Sequence, residues 1–133
     1  MSEQPGVSDE YRMASPWPLF VALGFALSEV GVFLGVLPVA VAGILLLGAS
    51  VTGILRESGY VSDVWRVLAA LGGVFALLGA GLVATQVPPG SLAIVETVTA
   101  PNGAVGRGLA VAIAGVMLVA AAATGQVVGT ARL

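Results

Sequence analysis

The sequence predicts an all-α integral membrane protein, a four-helix bundle with both termini on the cytoplasmic side. Three observations carry that expectation. The chain is 58% hydrophobic and only 9% charged, against roughly 25% charged residues in a soluble domain. Its mean hydropathy is +1.06. A chain of 133 residues cannot hide that much apolar surface in its own interior, because small domains bury the smallest share of their surface. The surrounding medium is therefore expected to be lipid.

Residues 1–16 read as a polar N-terminal tail, and the membrane domain occupies 17–133. Glu3, Asp9 and Glu10 outnumber Arg12 in the tail, whereas a secretory signal opens on a basic region. The first apolar segment is thus expected to remain as an uncleaved span. A span needs about 20 mostly apolar residues. The stretch from Trp17 to Leu55 has one charge, Glu29, and is long enough for two. Gly35-Val36-Leu37-Pro38 divides it, since Pro disfavours helix before itself and suits a helix's first turn. The expected helices are 17–35 and 38–55. A polar loop containing Gly59 follows, then a third helix over 64–87, ended by Pro88-Pro89-Gly90.

Residues 88–106 form the expected outer loop. It holds a β-prone run over 92–99 and a turn signal at Pro101-Asn102-Gly103. The fourth helix is expected over 107–128. No internal repeat or coiled-coil heptad is expected. The arginines set the orientation. Arg12, Arg56, Arg66 and Arg132 fall on the side of the termini, and only Arg107 on the other. The expected location is the cell (cytoplasmic) membrane, crossed several times.

Absent residue types exclude several functions. The chain has no Cys and no His, which removes thiolate chemistry and the commonest metal ligand and general base. No basic patch points to nucleic acid. No nucleophile–base pair, phosphate loop or metal-ligand cluster is present, so no catalytic, cofactor-binding or metal residue is assigned. Met13 and Met117 suit packing better than soft-metal ligation.

Glu29 is the one ionisable residue deep in a span, about 18 Å from Trp17 at 1.5 Å per residue. An intramembrane carboxylate is by default functional or partnered. At that depth the other helices are expected to offer only Leu45, Gly79 and Met117, none of them polar. Three readings stay open: a contact to a neighbouring subunit, a carboxyl kept neutral because burial disfavours its charge, or a proton or cation coupling site. Gly24, Ser28, Gly31 and Gly35 share one helix face and read as a packing seam within the bundle or to a partner. Gly125 and Gly129 repeat the spacing. Trp17, Tyr60 and Trp65 are expected interfacial anchors.

Three segments carry a resemblance: Ala14-Ser-Pro-Trp-Pro-Leu-Phe-Val-Ala-Leu-Gly24, Ala26-Leu-Ser-Glu-Val-Gly-Val32 and Gly53-Ile-Leu-Arg-Glu-Ser-Gly-Tyr60. The first 66 residues resemble a family of small haloarchaeal membrane proteins described as cox cluster proteins, encoded beside the subunits of a haem-copper terminal oxidase. The resemblance implies a non-catalytic accessory subunit that stabilises or assembles the core, with the catalytic subunits of the oxidase and lipid as partners. Haem and copper are then expected only in a partner subunit, and the chain itself is no enzyme. A transient assembly factor fits the same signals. A small proton-coupled cation or drug transporter using Glu29 is the rival, since small multidrug exporters also have four helices and a Glu in the first. The four-to-one arginine bias and the scarcity of aromatic neighbours around Glu29 favour the accessory reading.

Overall fold

The computed structural model describes residues 14–88, 93–99 and 101–131. It contains α1 (Trp17–Leu34), α2 (Leu37–Glu57), α3 (Val64–Ala84), the short α4 (Ile94–Thr99) and α5 (Gly103–Ala131), with no strand among the described residues. Helices α1, α2, α3 and α5 are each long and apolar enough to cross a membrane. The all-α expectation holds. Residues 1–13, including Arg12 and Met13, and Arg132 lie outside the described residues.

Local chemistry explains each boundary. Helix α1 stops where Gly35 takes a left-handed φ of 72°. There the Gly35 N–H donates to the Val32 carbonyl at 3.1 Å and the Val36 N–H to the Gly31 carbonyl at 2.8 Å, the paired bonds of a Schellman stop. Gly59, at φ 82°, ends α2 with the same two bonds, to Arg56 and from Tyr60 to Leu55. Asp63 caps α3 by accepting the Arg66 N–H at 3.3 Å.

Other helix ends fall within three residues of expectation, but two features at the loop end differ. The β-prone segment contains a helical turn, α4, because Thr97 and Thr99 turn their hydroxyls onto the carbonyls of Ala93 and Val95 at 2.7 and 2.6 Å. The Asn102-Gly103 turn signal is instead a helix start. Asn102 Oδ1 accepts the Val105 N–H at 2.8 Å, an N-cap. Helix α5 therefore begins at Gly103, four residues earlier than expected, and Arg107 lies inside it.

The packing exposes an internal repeat that the sequence reading did not anticipate. Trp-x6-Gly-x6-Gly occurs as Trp17, Gly24, Gly31 in α1 and as Trp65, Gly72, Gly79 in α3. In α2, Leu37, Val39, Ala40, Ala42, Gly43, Leu46, Ala49, Thr52 and Gly53 recur at constant offset in α5. There they are Leu109, Val111, Ala112, Ala114, Gly115, Leu118, Ala121, Thr124 and Gly125. The contacts repeat as well. A methyl group on Gly24 would lie 2.7 Å from the Gly43 carbonyl oxygen, and one on Gly72 would lie 2.6 Å from that of Gly115. A methyl on Gly53 would meet the Trp17 ring at 2.5 Å, and one on Gly125 the Trp65 ring at 2.5 Å. Gly31 lies against Ala40 as Gly79 lies against Ala112.

The bundle is therefore two copies of one antiparallel hairpin, α1–α2 and α3–α5, pointing the same way. Backbones approach closely at the small residues, which is how helices gain van der Waals contact where lipid supplies no hydrophobic drive. Helices α2 and α5 meet at the centre, α1 flanks α5, α3 flanks α2, and α1 lies across the bundle from α3. The core is correspondingly small-residued: Ala40, Val41, Ile44, Ala110 and Ala114. Buried Ser50 and Thr52 bond the carbonyls of Leu46 and Gly48 at 2.6 and 2.9 Å, so neither leaves a hydroxyl unsatisfied. Trp17 and Trp65 mark one end of the bundle, the tryptophan end. Gly35 and α4 mark the other, the loop end.

Candidate functional site

The polar centre of the membrane domain is an ion pair at the loop end. Glu29 sits in the last third of α1 and Arg107 in the second turn of α5. Arg107 Nε donates to both carboxylate oxygens of Glu29 at 3.1 Å, and Nη2 donates to Oε1 at 2.5 Å. Nη1 reaches back to the Gly103 carbonyl at 3.3 Å. That last bond aims the guanidinium toward the loop end, as a long basic side chain does when it snorkels. The fork geometry gives direction as well as attraction.

The arginine partner was missed in the sequence because of one boundary. With α5 starting at residue 107, Arg107 would sit at the membrane surface. With α5 starting at Gly103 it lies about 6 Å down the helix, and Glu29 lies about 7.5 Å below the end of α1 at 1.5 Å per residue. The two depths match. The Asn102 cap was the readable signal.

The pair joins the two hairpins, one residue from each. Under the repeat, Leu77 stands where Glu29 would recur and Gly35 stands where Arg107 would. The charged contact thus occurs once. It is not enclosed: the Glu29 and Arg107 side chains keep 39% and 48% exposure, beside a groove that Val30, Val32 and Phe33 also line. A second polar link ties α3 to α5 at the same end. Asn102 Nδ2 donates to Gln86 Oε1 at 3.0 Å, and Gln86 Nε2 to Thr85 Oγ1 at 3.2 Å.

The other expected site residues separate into two groups. Gly24, Ser28 and Gly31 are buried against α2, so the seam is an internal one. Ser28 Oγ bonds the Phe25 carbonyl at 2.7 Å. Gly35 does not belong to the seam: nothing lies within 4 Å of where its Cβ would be, and its role is the left-handed stop. The formal Gly31/Gly35 motif is therefore not a contact motif. Gly129 is likewise open, while Gly125 seats Trp65. Tyr60 is 81% exposed at the tryptophan end. Trp17 and Trp65 act as packing knobs in addition to standing at the bundle end.

Chemically the pair can hold α1 to α5 and present a charge-paired polar spot near one face of a membrane. No group of three or more His, Cys, Asp or Glu gathers into a metal-binding cluster among the described residues. No curated protein and no solved structure matches the chain. The chain matches the family of unknown function DUF7541 over residues 1–128, and it belongs to that family.

Proposed function

We propose that the protein is a non-catalytic accessory subunit of a respiratory haem-copper terminal oxidase, resident in the cytoplasmic membrane with both termini inside. The resemblance across the first 66 residues supports the choice of partner. The structural observation that carries the accessory reading is the Glu29–Arg107 pair. The carboxylate that would drive a transporter is already held in a three-bond fork by the chain's own arginine. It serves as a joint between hairpins, which is structural work. The exterior supports the reading too, because Phe33 and Leu77 stand 87% and 77% uncovered, offering apolar surface to a partner helix or to lipid. Haem and copper then belong to the partner. The arginine bias supports the orientation.

The test is a mild-detergent native purification from the source membrane with identification of every co-migrating chain. The protein is expected to travel with a haem-containing complex. Deleting it is expected to lower the amount of assembled oxidase while leaving turnover per haem unchanged. Migration alone, or proton-coupled cation flux by the purified chain in liposomes, would overturn the assignment. Disappearance of the chain from the finished complex, with assembly still dependent on it, would identify a transient assembly factor instead.

A further inference from the structure

The tryptophan end carries a second polar feature that the ion pair does not explain. Helices α1 and α3 stand apart across α2 and leave a furrow over it. Its floor is a stripe of exposed α2 residues, Ala42, Ala49 and Arg56, at heptad spacing. From Ala42 to Arg56 the furrow runs about 21 Å at 1.5 Å per residue, longer than the roughly 15 Å of one leaflet's hydrocarbon. At the tryptophan end it opens into a cavity of about 510 Å³ lined by Trp17, Ala49, Arg56, Glu57, Trp65 and Leu68, among others.

Among the described residues, the donors at this mouth are unspent. Arg56 makes no hydrogen bond or ion pair among the described residues, and neither indole N–H donates to a described group. The neighbouring carboxylates have described partners, and Glu57 keeps its charge. Glu57 Oε2 accepts the Ser15 hydroxyl at 2.7 Å, and Asp63 faces Arg66 at 3.9 Å. The repeat sharpens the point. The equivalent stripe on α5 has Ala121 and then Val128 where α2 has Ala49 and Arg56. Only the stripe on α2 ends in a guanidinium, and that guanidinium has no partner among the described residues and stands between the two indoles.

We propose that this furrow binds one anionic phospholipid from the leaflet at the tryptophan end. Its phosphodiester meets Arg56 and the indole N–H groups, and one acyl chain lies over Ala49 and Ala42. Arginine recognises phosphate oxygens through paired N–H donors. Tryptophan prefers the headgroup level because one end of its ring is apolar and the other polar. A furrow floored by alanine lets a chain approach the helix backbone.

Trp17 and Trp65 are the only two tryptophans in the chain, so the protein reports on its own site. The full chain is reconstituted in phosphatidylcholine vesicles with either phosphatidylglycerol or further phosphatidylcholine brominated near the top of the acyl chain. Tryptophan quenching is then titrated. Brominated phosphatidylglycerol is expected to quench at about fivefold lower mole fraction, the usual effect of one basic residue on an anionic lipid. R56Q is expected to erase that preference and R56K to keep most of it. W65F should leave Trp17 quenched with a smaller preference of the same sign. Equal quenching by the two lipids in the wild-type chain would overturn the proposal, and so would full preference in R56Q. Protection from quenching by inorganic phosphate alone would overturn the lipid as occupant. The wild-type comparison stands even where a variant fails to fold.

Discussion

Arg107 meets Glu29 from a helix that begins one turn earlier than turn-forming residues suggest, and the pair's value follows from its surroundings. Removing one member leaves a lone charge beside apolar medium, which is worse than removing both. E29Q and R107Q are therefore each expected to lower the thermal midpoint of the detergent-solubilised protein. The swap E29R/R107E is expected to recover much of the loss. A double variant no better than the sum of the single ones would show that the fork does not couple the hairpins. Gly35 is a second residue-scale case. Its φ of 72° is costly for any side chain, so Gly35→Ala is expected to destabilise by about 1–2 kcal/mol. Gly129→Ala is expected to be neutral to mildly stabilising, since it sits at helical φ with no described atom near it and alanine is the better helix former. Because an added methyl meets nothing at either position, a thermal melt of the pair of variants isolates the conformational cost of the left-handed turn.

At the scale of the helix, the four spans were legible because length and apolarity suffice to define them in lipid. Observed bounds of Trp17–Leu34 and Val64–Ala84 fall within three residues of those expected. What the sequence left hidden has physical causes. Asn102-Gly103 serves a turn or an N-cap equally well, and the choice moved Arg107 from the surface into the helix. Thr97 and Thr99 favour strands statistically. With no strand among the described residues to pair with, their hydroxyls bond their own helix instead. Asn102→Ala is expected to fray the start of α5 and cost about 1 kcal/mol, read as faster amide exchange confined to residues 103–107. Gly43→Ile and Gly115→Ile are expected to cost at least 1–3 kcal/mol each, the scale of overpacking, and by similar amounts. A strong asymmetry between them would argue that the two hairpin seams are not equivalent.

For the whole molecule, the repeat was hidden because alanine, glycine, leucine and valine dominate every span, so identity alone rises little above background. It becomes visible when the same positions are seen to touch: Trp17 on Gly53 and Trp65 on Gly125, Gly24 on Gly43 and Gly72 on Gly115. Parallel hairpins of this kind are related by an axis along the membrane normal, not by one in its plane. Both connections at the loop end must then lie on one side of the membrane. The chain has no native cysteine, so single-cysteine variants can test this directly. N102C is expected to react with an impermeant maleimide added outside intact cells, and S62C only after the membrane is opened. Reversed labelling would invert the orientation, and mixed labelling would mean that both orientations coexist.

The matched tryptophan–glycine seams have a consequence for how the protein enters the bilayer. Each hairpin closes on itself through neighbouring segments of chain, so a nascent α1–α2 unit can zip together before α3 leaves the ribosome. The second unit then repeats the event. The expected late step is the meeting of two finished halves, with the Glu29–Arg107 fork as the charged contact between them that fixes their pairing.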